Sequence, residues 1–315
     1  MDNKKKDVTL LKLGGAFSAL LGIVIFAQIA IAIAVQLLLP QFESHLLYTY
    51  VLSFVPLYVF GLPPCLIILG KKEDLPKVRG SISPSDFFAL IISTIGFSML
   101  ANLFGTCLMF VAEKMGANPF ENPVNGLLSG TNIYIAFAAL VVIAPIGEEF
   151  IFRRLIIDRA KKYGELYAVM LSAVMFGAFH MNIYQFFYTF IVGFILAYVY
   201  IKKGRLIYSI ILHALLNFIC GIIPTILLQN YNDVLPLIES GSPEAIADSL
   251  MPLLGLLLYL FIMLCCMVAA VVLFFIYFGR VSFKSGETKK GIIFSPLILL
   301  FIAICLAITV LPMII

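Results

Sequence analysis

The chain has 315 residues, 62% of them hydrophobic and only 12% charged, with a formal net charge of +4. Soluble domains carry about 25% charged residues, so a chain this apolar has too little polar surface to face water, and the lipid bilayer is its expected surroundings. The small positive balance points to no nucleic-acid partner, because the basic residues sit in short loops between apolar runs.

In chain order, nine apolar runs have the length and composition of bilayer-crossing helices: 13–39, 46–69, 86–112, 131–160, 165–181, 183–201, 206–228, 252–279 and 292–315. The first follows Lys4, Lys5 and Lys6, but it is far longer than the roughly 7–15 residues of a signal-peptide core, so it reads as a retained span. The fifth run is short and joins the sixth through a tight turn near Met181 and Asn182. The connection 229–251 contains Asp233, Glu239, Glu244 and Asp248 and no basic residue, and is expected to be a partly helical outer loop. With the N-terminus cytoplasmic and the runs alternating, all 21 Lys and Arg except Lys114 fall on the cytoplasmic side, as the positive-inside rule requires. The six cysteines lie inside apolar runs without a CxxC pair and read as small buried hydrophobes. The fold class is therefore all-α, a polytopic transmembrane helical bundle.

Ionisable groups at membrane depth are penalised by roughly 2.5–3.5 kcal/mol each on insertion scales, and read as functional when they lie deep. The fourth run contains Gly147-Glu148-Glu149-Phe150-Ile151-Phe152-Arg153-Arg154. Counted back from Lys161 on a continuous helix, Glu148 lies about 20 Å from the basic end. Glu149 and Arg153 are spaced i,i+4 and share a face, whereas Glu148 is turned by about 100°. One carboxylate can thus be neutralised by Arg153 while the other stays free; alternatively both simply offset Arg153 and Arg154 near the interface. The fifth run ends in Phe176-Gly177-Ala178-Phe179-His180, and the seventh contains His213-Ala214-Leu215-Leu216-Asn217. His180 and His213 lie at unequal depths from the basic face, so a tilted or bent helix is needed for them to meet. Asn102 in the third run is assigned to interhelical hydrogen bonding, and His45 to an ordinary loop. A Glu with a His can activate water by general base catalysis, and an Asn with a second His can donate hydrogen bonds to a developing oxyanion. That set meets the needs of amide hydrolysis without Ser or Cys.

These motifs resemble the CPBP family, which comprises the type 2 CAAX prenyl proteases and their bacterial relatives, the bacteriocin-processing and abortive-infection (Abi) proteins. The family pattern Glu-Glu-x-x-x-Arg, Phe-x-x-x-His and His-x-x-x-Asn is matched in order by Glu148-Glu149 with Arg153, Phe176 with His180, and His213 with Asn217. The resemblance covers roughly residues 140–220 and implies a helical bundle with an intramembrane active site and a metalloendopeptidase-like activity. Within it, Glu148 is the base acting on water, His180 assists, His213 and Asn217 line the oxyanion hole, and Glu149 and Arg153 support the site. The chain then divides into N-terminal helices 1–130, a catalytic core 131–228, and an outer loop with C-terminal helices 229–315. The expected partners are the lipid bilayer and a peptide or membrane-protein substrate, reached from the cytoplasmic side of a bacterial plasma membrane. No cofactor is expected; if a metal were present, Glu148, His180 and His213 would be its ligands as a zinc-type set. A non-proteolytic membrane partner or immunity protein that keeps the fold, and a proton-coupled carrier, are the competing readings.

Overall fold

The structure, a computed structural model, describes residues 2–45, 47–71, 80–117, 132–230, 243–286 and 295–314. Lys72, Lys77, Arg79, Asp233, Glu239, Lys289 and Lys290, and most of the 113–130 connection, lie outside the described residues.

Among the described residues the chain is all-α, with nine principal helices and no strand longer than a single bridge. They are α1 (Asp2–Leu38), α2 (Tyr48–Leu69), α3 (Pro84–Lys114), α4 (Ile133–Tyr163), α5 (Glu165–Phe179), α6 (Ile183–Lys203), α7 (Leu206–Asn230), α8 (Pro243–Tyr277) and α9 (Pro296–Ile314). Local sequence sets several of their ends. Ser83 caps α3 by accepting from the Asp86 N–H at 3.1 Å, with Pro84 in the first turn. Asn132 and Asn182 cap α4 and α6 in the same way. Gly204 closes α6 in the left-handed conformation, which Gly adopts without Cβ strain.

Seven of the helices are long and apolar enough to cross a membrane, and the chain is an integral membrane protein. The expectation of nine full spans is met in position but not in length. With 15 residues, α5 reaches about 22 Å, short of the roughly 30 Å hydrocarbon core. Its buried residues include Leu171, Ser172, Met175, Phe176 and Ala178, so α5 is an inner helix packed between α4 and α6 and does not have to bridge lipid by itself. α9 has an apolar stretch, Pro296–Leu311, that is also below full-span length. α8 starts at Pro243, so the second half of the 229–251 connection is the beginning of that helix.

The helix ends expected on the basic side do gather. The Gly80 N–H donates to the Lys203 carbonyl at 3.0 Å, and the Lys203 ammonium to the Ser81 carbonyl at 2.9 Å. Arg159 donates to the Gly70 carbonyl at 3.1 Å, and Lys162 to the Thr9 hydroxyl at 2.9 Å. Glu165 is ion-paired with Lys202 and accepts from the Lys284 N–H at 2.9 Å, and its own N–H donates to the Lys284 carbonyl at 3.0 Å. These contacts bring the start of α1, the ends of α2, α4 and α6, the start of α5 and the segment after α8 onto one face, which is what strict alternation demands.

The outer helices present large apolar side chains outward: Phe26 is 74% exposed, Ile67 80% and Phe275 74%. Faces of this kind are untenable in water and ordinary in lipid. Cys107 and Cys265 belong to the same outward surface, contrary to the expectation of six buried thiols; Cys65 and Cys305 are buried. The reason is that an apolar residue in a bilayer has no need to point inward. Where helices touch closely, small residues allow it. At Gly96 of α3 a Cβ would strike the Cys266 carbonyl of α8.

Candidate active site

Glu148 is the middle residue of the 31-residue α4, fifteen from either end, or about 22 Å along the axis. In a helix that crosses a bilayer the middle lies deepest. The charged residues of α4 are therefore where apolar surroundings penalise them most, and the structure shows how each is compensated.

Glu149 and Arg153 are both fully buried. The guanidinium grips the carboxylate with two hydrogen bonds, Nε to Oε2 at 3.0 Å and Nη2 to Oε1 at 3.2 Å. Its remaining nitrogen donates to the Ser172 hydroxyl of α5 at 2.8 Å, and Ser172 donates onward to the Phe152 carbonyl at 2.8 Å. The cation also lies over the Phe176 ring, 4.7 Å from the centroid. A bidentate Arg–carboxylate pair with its spare donor satisfied is the arrangement that makes a buried ion pair tolerable.

His213 of α7 completes the link. Its Nδ1 lies 3.1 Å from Glu149 Oε1, and since a carboxylate only accepts, Nδ1 carries the hydrogen. Its Nε2 faces Glu148 Oε2 at 3.7 Å, beyond hydrogen-bond length. The two neighbouring carboxylates thus share His213, while Arg153 serves Glu149 alone. Glu148 has no comparable clamp, and its side chain keeps 20% of its exposure.

His180 closes α5. Its Nδ1 is 2.8 Å from the Phe176 carbonyl, which can only accept, so Nδ1 is protonated and neutral His180 keeps a lone pair on Nε2. Phe176 packs edge-on against both imidazoles, with centroids 4.8 Å from His180 and 5.8 Å from His213. His180 is within electrostatic reach of Glu148, His213 and Arg153. His180 lies fifteen residues into its helix and His213 seven into α7, yet one ring touches both. The unequal counts from the basic face therefore do not keep the two imidazoles apart. The chain reverses right after His180 through Met181, in the left-handed region at φ 48, which side chains other than Gly seldom adopt.

Asn217 sits one turn beyond His213 and donates from Nδ2 to the Leu140 carbonyl of α4 at 2.8 Å. The cause lies in α4. Residues Phe137–Ile143 form wide π-helical turns, and the Ala144 N–H passes over Leu140 to bond the Ala139 carbonyl. The next residue, Pro145, has no N–H to offer. The Leu140 carbonyl is left over in the helix ladder and is met from α7. The amide of Asn217 retains a second hydrogen to donate. Pro56 in α2 has a parallel effect: it lacks the N–H owed to Leu52, whose carbonyl accepts from Gln28 of α1 at 3.2 Å.

The structure thus brings together Glu148, Glu149, Arg153, His180 and His213, and docks Asn217 on the same helix pair. Ser172 and the Leu140 carbonyl belong to the cluster and carry no sequence signal of their own. Asn102 is half-buried on α3, and His45 is an exposed loop residue whose Nδ1 accepts from the Leu47 N–H. Among the described residues, no three His, Cys, Asp or Glu side chains are grouped as ligands for a metal ion.

A polytopic helical membrane protein with carboxylates, imidazoles and an arginine gathered on α4, the short inner helix α5 and α7 is the class these observations define. Residues 130–219 match the family described as Rce1-like, type II CAAX prenyl endopeptidase. That segment spans α4 to the first half of α7 and contains every residue of the cluster, and over it the chain is similar to the CAAX protease (CPBP) family of peptide hydrolases. No curated protein and no solved structure matches the chain.

Proposed function

We propose that the chain is an intramembrane endopeptidase that hydrolyses a peptide bond in a peptide or membrane-associated protein, from the cytoplasmic side of a bacterial plasma membrane. One observation carries this reading. Of two adjacent carboxylates, Glu149 is sealed and fully neutralised, while Glu148 is partly open and unclamped. Two like groups in environments this different take different roles.

Glu148 is the base. It removes a proton from a water held between it and His180, whose free Nε2 accepts the water's other hydrogen. The resulting hydroxide attacks the substrate carbonyl. The oxygen that gains charge accepts a hydrogen bond from the second amide hydrogen of Asn217, in an oxyanion hole lined by Asn217 and His213. The proton taken by Glu148 passes to the leaving nitrogen as the C–N bond breaks. Glu149 and Arg153 take no proton in this scheme; they fix the orientation of His213 and the end of α5. The scheme is metal-free, because a Glu148 bound to a metal would not be a free base. Metal analysis of protein purified without chelator tests this point, and stoichiometric zinc would overturn it.

The reading is tested by comparing the peptides of membrane and medium in cells carrying the wild type or Glu148→Gln at matched expression. Peptides that vanish in the variant establish proteolysis and name the substrate. An unchanged peptide set, with the cellular phenotype intact, would instead favour a non-catalytic membrane partner with this fold.

A further inference from the structure

The family match begins at residue 130, so whatever α2 contributes to the site lies outside it. α2 brings Tyr58. Its hydroxyl is buried and has no hydrogen-bond partner in the protein. Buried phenol hydroxyls are normally paired. The ring is held firmly. It stacks on Phe54 with centroids 5.9 Å apart and lies on the π-helical stretch Pro56–Gly61. On its other side it presses on Gly147, where a Cβ would collide with the Tyr58 hydroxyl and with the two ring carbons nearest it. Only glycine at 147 allows this approach, and Gly147 directly precedes Glu148 in α4. Glu148 is within electrostatic reach of the hydroxyl, but no hydrogen bond joins them. The unpaired donor thus lies against the residue next to the unclamped carboxylate.

We propose that Tyr58 is a further catalytic residue. Its hydroxyl donates a hydrogen bond to the water oxygen that Glu148 deprotonates, and keeps that bond as the oxygen becomes a hydroxyl of the tetrahedral intermediate. The proposal rests on the endopeptidase reading and adds a fourth helix to the site. Its physical content is orientation: a water with hydrogen bonds to Glu148 and His180 alone still rotates about that axis, and a donor from α2 fixes the lone pair that attacks. Tyr188 of α6, also within reach of Glu148, cannot take this role with the same hydrogen, because its hydroxyl donates to Gln185 at 3.2 Å.

The test uses the full-length protein in lipid nanodiscs, with a substrate identified by the wild-type against Glu148→Gln comparison. Tyr58→Phe keeps the ring, its stack on Phe54 and its contact with Gly147. It is expected to lower kcat by roughly 10–100-fold with KM changed less than about twofold and an unchanged melting temperature. Gly147→Ala, which pushes the phenol away, should lower kcat to a similar degree, and the double variant should be no slower than the slower single one. A Tyr58→Phe enzyme with wild-type kcat, or one altered in KM alone, overturns the proposal while the endopeptidase reading stands. Should Tyr58→Phe fail to accumulate, a Gly147→Ala protein that is folded and fully active has the same meaning. Identical products from wild type and Glu148→Gln would remove both readings together.

Discussion

α4 and α8 are both long apolar helices, and they solve opposite problems. α4 carries Glu148, Glu149, Arg153, Arg154 and Asp158 and is 44% buried over its most apolar window; α8 has no Asp, Glu, Lys, Arg or His from Leu250 to Tyr277 and is 11% buried. From Glu149 onward α4 is enclosed by protein, so the polar groups there can be paired one by one. α8 faces lipid with Leu258, Phe261, Leu264 and Phe275, where no pairing is on offer. The contrast separates a helix that positions chemistry from one that seals it in. It also accounts for a family match confined to 130–219: the inner segment carries the specific geometry, and the outer helices are constrained mainly to be apolar and the right length.

The sharpest way to break this contrast is Glu148→Gln. General base catalysis by a positioned side chain is worth roughly 10²–10⁴-fold, so product release should fall by that factor in a defined-substrate assay. The melting temperature in detergent should stay within about 1 °C, because Glu148 has no clamp to lose. A large loss of stability with activity retained would make Glu148 a structural residue like its neighbour.

Arg153→Leu probes the sealed half of α4. It leaves Glu149 buried with only His213 for company, and breaking a buried pair by removing one partner destabilises by about 3–5 kcal/mol. The expected result is poor accumulation and a strongly lowered melting temperature. Glu149→Leu combined with Arg153→Leu should recover much of the stability but not the activity, since His213 then loses the carboxylate that orients it. A double variant as unstable as Arg153→Leu alone would mean that the charge balance is not what holds the helices together.

The parts of this site that the sequence exposed are those an apolar context makes conspicuous. Glu148, Glu149, Arg153, His180 and His213 are ionisable groups in runs that otherwise exclude them, so their presence signalled function before any contact was known. The i,i+4 spacing gave the Glu149–Arg153 pair outright. Ser172 and Tyr58 were invisible for the converse reason, because serine and tyrosine are common in membrane helices and their spacing says nothing of partners on other helices. Asn217 was visible as a polar residue, but its bond to Leu140 depends on the π-helical turns of α4, which hydrophobic periodicity does not register. Helix positions were legible from apolar runs and basic loops. The shortness of the fifth run was legible too; that α5 packs as an inner helix between α4 and α6 was not, because an inner helix and a lipid-facing one are equally apolar.

Asn217→Ala gives a smaller effect that tests how α4 and α7 are joined. It leaves the part-buried Leu140 carbonyl without its donor, which costs up to about 1–3 kcal/mol, and it removes one oxyanion donor from the proposed site. The coupling to Pro145 is the decisive part. Pro145→Ala restores an N–H that α4 can turn toward the orphaned carbonyl, so in that background Asn217→Ala should destabilise less than it does alone. Additive losses across the four proteins of the cycle would show that the missing proline N–H is not the reason Asn217 docks there.

The smallest expected effect belongs to α8. Leu258 is 60% exposed and Phe275 74%, and surface exchanges that avoid special contacts stay within roughly 0.5 kcal/mol. Leu258→Val and Phe275→Leu keep the face apolar and should leave melting temperature, kcat and KM at wild-type values in nanodiscs. Leu258→Asp, by contrast, should block membrane insertion, because a charge at that depth has no partner on a lipid-facing helix. An α8 face that tolerates the aspartate would be lined by protein or water, and its role would then resemble that of α4. Unequal kcat for the apolar exchanges would carry a related message, since a helix that only seals the site has no means of altering the chemistry when one hydrocarbon side chain replaces another.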